Sequence, residues 1–108
     1  METQTLDYDF LATELESKAL GLGNLGARLK FIFEGSGVVH IDATQDTPVI
    51  TRDPSLPADF DVTAPLPVWL QLRAKTLAPH VAAMTRKMKF KGDMVKFMKL
   101  LPRVMKVL

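Results

Sequence analysis

The sequence has no cysteine. Disulfide staples, thiolate ligands and cysteine nucleophiles are therefore excluded. It has two histidines, His40 and His80, with no partner at metal-ligand spacing, so no metal site is indicated. No apolar run approaches the ~20 residues that a membrane span needs. The first ten residues, METQTLDYDF, lack the basic and apolar regions of a secretory signal, and the expectation is a soluble, cytoplasmic protein. Aromatic residues make up only 7% of the chain, too few for a base-stacking platform. Acids are nearly missing from the second half. Residues 1–61 carry a net −7, whereas residues 62–108 carry +9 with Asp93 as their one acid. Such a basic half makes a positive face that attracts anionic surfaces.

The 108 residues suit one domain, 1–108. Residues 5–20 read as a helix, with Leu6, Phe10, Leu11 and Leu15 at helical spacing and Gly21 and Gly23 ending it. ARLKFIFEG alternates apolar and polar residues, GSG turns the chain, and VVHIDAT alternates again. TPVIT and DFDVTA are further short strands, separated by proline-rich loops. Pro67 and Pro79 suit the first turns of two short helices, because a helix leaves its first N–H groups unpaired. KMKFK is a fifth strand, Gly92 turns, and Asp93 caps a last helix. Pro102 is expected to kink or divide that helix near Met98. The order gives an α+β fold of two layers, a largely antiparallel (mixed) five-stranded sheet covered on one face by helices.

No catalytic constellation stands out. GLGNLG, Gly21–Gly26, has the letters of a dinucleotide loop, but a helix precedes it and a strand follows, the reverse of what pyrophosphate binding needs. Ser36, His40 and Asp42 lack a sharply turned, exposed nucleophile. Pairs such as Asp7/Asp9 and Asp59/Asp61 read as solvated edge or cap residues. Catalytic residues, metal and cofactor are all expected to be absent. Nucleic acid is disfavoured as a partner, since Phe90 and Phe97 point to the apolar side rather than among the cations.

The segment RKMKFKGDMVKFMKLLP is both basic and apolar. In its helix Lys96, Lys99, Arg103 and Lys106 make one stripe, expected to touch anionic membranes. Met94, Phe97, Met98, Leu101 and Met105 are expected to form the opposite, inward face. Five of the six methionines lie between Met84 and Met105. Methionine fills irregular cores, and it also lines surfaces that adapt to flexible apolar ligands.

Residues 60–101 carry Asp61, Leu77, Pro79, Ala83, Met84 and the run Lys87-Met88-Lys89-Phe90-Lys91-Gly92-Asp93-Met94, followed by Met98 and Leu100. This pattern resembles the second half of a sterol carrier protein type 2 domain, and the resemblance extends over roughly residues 6–101. Lys75 and Arg86 stand where the family pattern has glycine. The resemblance implies an apolar tunnel between sheet and helices that binds a sterol, acyl chain, acyl-CoA or phospholipid without catalysis. The lining then comes from Phe31, Phe33, Ile41, Met88 and Phe90 of the strands, and from Trp69, Leu70, Met84, Met94, Phe97, Met98 and Leu101 of the helices. Some bacterial relatives are instead accessory lipid binders in ubiquinone biosynthesis. The same fold with a filled cavity would serve as a scaffold, with a void below about 300 Å³ favouring it.

Overall fold

The computed structural model describes residues 7–105. Strict alternation builds the centre of the sheet. In Ala27–Glu34 (β1), Ala27, Leu29, Phe31 and Phe33 are buried, and the residues between them face the other way. Gly35, at φ 78°, takes the left-handed turn conformation that returns the chain as Gly37–Ala43 (β2). The pairing is antiparallel and sets Leu29 opposite Ile41 and Phe31 opposite Val39. Val49–Thr51 (β3) extends the sheet beyond β2. Phe60–Pro65 (β4) pairs parallel to β1, with Phe31 beside Val62, and Lys89–Lys91 (β5) pairs antiparallel to β4. The order is β3-β2-β1-β4-β5, an open mixed sheet as expected.

Helices cover its apolar face. Tyr8–Ala19 (α1) starts at Asp7, whose carboxylate accepts from the Phe10 N–H at 3.0 Å. It buries Leu11, Leu15 and Ala19. Leu66–Arg73 (α2) follows β4 without a loop, and Pro79–Met84 (α3) follows α2, each with proline in its first turn. Met94–Val104 (α4) is capped by Asp93, which accepts from the Lys96 N–H at 3.2 Å. Pro102 does not divide α4. The carbonyl it leaves unpaired lies at Met98, on an exposed side of the helix where water can reach it.

The polar face of the sheet differs from expectation at His40, which is buried. Parallel pairing of β1 and β4 needs a crossover from the far edge. Residues 52–59 make it across the back of the sheet. The Pro57 carbonyl lies 2.9 Å from His40 Nε2, Lys30 Nζ donates to the Pro54 carbonyl at 3.1 Å, and the Arg28 N–H donates to Asp59 Oδ2 at 2.8 Å. Lys75 and Arg86 have φ 60° and 61°. They hold the left-handed conformation that glycine adopts without steric cost.

Candidate functional site

The candidate lining residues divide into three groups. The first fills the space between β1, α1 and α2. Trp69 lies 4.7 Å from Phe33 and meets Phe31 edge-on at 5.8 Å, measured between ring centroids. Its indole N–H donates to the Ala64 carbonyl at 2.8 Å and the Ile32 carbonyl at 3.2 Å, which satisfies its buried polar atom. Tyr8 packs edge-on to Phe33 and its hydroxyl donates to the Val38 carbonyl at 2.6 Å. Ile41 is fully buried and Leu70 half-buried at this layer.

The second group sits at the β5 end. Phe90 and Phe97 are 4.5 Å apart, and Phe60 completes the trio at 5.9 and 5.3 Å. Met88 and Leu101 are partly buried against the core. The third group, Met84, Met94 and Met98, lies at the surface, 80%, 50% and 55% exposed. The expected inward face of α4 is thus rotated. Phe97 and Val104 are buried and Leu100 and Leu101 partly so, while Met94, Val95, Met98 and Met105 form an exposed apolar sector. Phe97 takes the inward position because two aromatic rings await it there. Arg103 fixes the rotation from the other end, donating from Nη2 to the Leu22 carbonyl at 2.7 Å and from Nη1 to the Asn24 carbonyl at 3.2 Å. Among the four stripe cations, Lys96 and Lys99 are exposed, Arg103 is engaged with the backbone, and Lys106 lies outside the described residues.

Between α1 and α2 the structure holds a cavity of about 30 Å³. Leu11, Leu15, Phe33, Trp69 and Leu72 make its apolar wall. Small-molecule sites measure roughly 300–1,000 Å³, so the described conformation has a largely filled interior rather than an open tunnel. Glu14, Lys18 and Arg73 form the rim. Arg73 grips Glu14 with both ends of its fork, Nε at 2.9 and 3.1 Å from the two oxygens and Nη2 at 3.0 Å. Lys18 Nζ adds a contact at 3.3 Å. These donors, Arg73 first, hold the Glu14 carboxyl below its usual value. On the other flank of α1, Arg52 bonds Glu16 and Asp9, both at 2.8 Å, and anchors the end of β3 to the helix.

Phe33 and Trp69 of this wall are expected lining residues, whereas Leu11, Leu15, Leu72 and the charged rim are not among them. Leu11 and Leu15 at helical spacing and the Glu14–Lys18 pair were visible, but the closing partners sit 59 residues away in α2. On the opposite side of the sheet an open groove of about 330 Å³ runs past Arg28, His40, Asp42 and Thr51, with Val49, Leu56 and Pro57 supplying apolar walls. Among the described residues no three His, Asp or Glu side chains gather as metal donors. No helix among them is long and apolar enough to cross a membrane.

The family model described as the SCP-2 sterol transfer family matches residues 10–102. No curated protein matches the sequence. The solution structure of the sterol carrier protein domain 2 of Helicoverpa armigera is similar with a TM-score of 0.71 at 18% identity, over 99% of this chain and 94% of that one. Sterol Carrier Protein 2 Like 2 from Aedes aegypti gives 0.65 at 18% identity, over 87% and 89%. A ubiquinone synthesis protein, UbiJ-SCP2, gives 0.56 at 17% identity, over 93% and 90%. At these identities the likeness shows the fold alone.

Proposed function

The chain belongs to the SCP-2 sterol transfer family, and on that premise we propose that it binds one hydrophobic molecule between its sheet and helices and hands it on without covalent chemistry. The observation that carries this reading is the cavity between α1 and α2, apolar inside and charged only at its rim. Each methylene taken from water into such a space contributes about 0.8 kcal/mol. Uptake has to part the helices from the sheet, since the present volume is about 30 Å³. Phe31, Phe33, Ile41, Trp69 and Leu70 then line the chain at the α1–α2 end, and Met88, Phe90, Phe97 and Leu101 at the other. Native mass spectrometry of gently purified protein tests this reading. A co-purified lipid is the expected result, and an empty protein that also ignores acyl probes overturns it.

Delivery to an anionic membrane, in a cytoplasmic setting, belongs to the same proposal. Met94, Val95 and Met98 are exposed beside Lys96 and Lys99, an apolar edge flanked by cations. Each cation near an anionic surface contributes about 1 kcal/mol, so the contact is weak and reversible. Liposome flotation should rise with anionic lipid and fall with salt. Equal flotation with neutral vesicles removes this part of the reading.

The largely filled interior favours a second reading, an accessory or scaffold domain with its function on the surface. The likeness to UbiJ-SCP2 is compatible with it. The mass spectrometry separates the two, because a scaffold carries no ligand.

A further inference from the structure

Resting on the lipid-binding reading, we propose that Arg73, with Lys18, is the head-group site for a single-chain lipid bearing a carboxylate. Glu14 is its internal stand-in, closing the mouth until the ligand's own carboxylate replaces it. The rim of the cavity holds two cations against one anion, and the one anion is a carboxylate seated on both ends of the Arg73 fork. Nε and Nη2 present parallel donors, an arrangement that matches a planar carboxylate. Glu14 therefore displays the geometry that a fatty acid head would adopt.

The wall behind it has the complementary chemistry. Leu11 and Leu15 from α1 and Trp69 and Leu72 from α2 are all buried, and Phe33 closes the floor. A chain whose carboxylate sat on Arg73 would run directly into this space. Release of Glu14 would also unlatch the seam, because Arg73 belongs to α2 and Glu14 to α1. The Glu14 side chain is already partly exposed, at 27%, so it can swing into water once displaced. Arg73 keeps its place, stacked over the Phe10 ring at 5.1 Å. A neutral head such as a sterol hydroxyl or a fatty alcohol offers no replacement for the carboxylate it would have to displace.

The test compares palmitate with hexadecanol, two chains of equal length that differ in the head, by titration against the purified chain. Palmitate should bind about tenfold tighter, the scale of one charge-assisted contact after exchange of one carboxylate for another. Arg73→Gln should erase the difference by weakening palmitate, while hexadecanol, which no longer has a latch to break, binds as well as before or better. Glu14→Gln removes the internal competitor and should raise palmitate affinity several-fold. If the parent binds acid and alcohol equally, or Arg73→Gln weakens both alike, the head-group site is wrong although lipid binding stands. If neither binds to the parent, lipid binding itself fails.

Discussion

Around Trp69 the large apolar side chains Phe31, Phe33 and Leu72 are buried, while on the helix that carries Phe97 the side chains Met94, Val95 and Met98 are exposed. The α1–β1–α2 region buries Leu11, Leu15, Phe31, Phe33 and Leu72, ties α1 to α2 through Arg73 and ties α1 to the end of β3 through Arg52. The α3–β5–α4 region rests on three phenylalanines, Ala82, Val104 and two bonds from Arg103, with Val81, Met84, Met94, Val95 and Met98 exposed. Segments poor in buried contacts open at low free energy. The buried contacts are thus concentrated at one end of the helical layer, and the other end presents exposed apolar side chains.

Substitutions test that contrast. The largest effect is expected from Trp69→Ala, which empties the fuller region and should lower the unfolding free energy by about 3–5 kcal/mol in a urea titration. Phe97→Ala should lower it by about 2 kcal/mol, because a thinly covered site collapses more easily. Equal losses would abolish the contrast. Gly92→Ala comes next. Gly92 has φ 136°, and a Cβ there would stand 2.6 Å from the Asp59 carbonyl oxygen and 2.8 Å from Phe60 Cδ1. Strain and clash should take about 1–2 kcal/mol and loosen β5 from β4, seen as faster hydrogen exchange in 89–91.

Smaller and of opposite sign are Lys75→Gly and Arg86→Gly. Each relieves a left-handed residue while adding chain entropy to the unfolded state, and a gain of about 0.5–1 kcal/mol is expected in thermal melts. Smallest is the acid dependence of the α1–α2 latch. The Glu14 carboxyl is lowered in the folded protein, chiefly by Arg73. Its contribution is therefore complete above the ordinary carboxylate pKa and fades as pH falls through the lowered folded value. Glu14→Gln should lower stability at neutral and alkaline pH by that contribution and flatten the curve in the acid window, so that parent and variant converge at low pH.

Much of the fold was legible in the residues. Alternation in 27–34 and 37–43 located β1 and β2, and the glycine positions occupied by Lys75 and Arg86 proved to be places of positive φ. The rotation of α4 was not legible. Met94/Met98/Met105 and Phe97/Leu101/Val104 are both helical stripes, and only the distant partners Phe60 and Phe90 decide which turns inward. The burial of His40 depends on a crossover that local alternation does not encode. The cavity rim joins residues from α1 and α2 that no local pattern links.

A lipid chain bound as proposed lies against the α1–α2 interior, and the single tryptophan of the sequence stands in that wall. Bromine quenches indole fluorescence only at close range, so titration with a fatty acid brominated in mid-chain reads the location directly. The expected result is saturable quenching of Trp69 that unlabelled palmitate reverses. A brominated chain that binds without quenching, or one that does not bind, contradicts it.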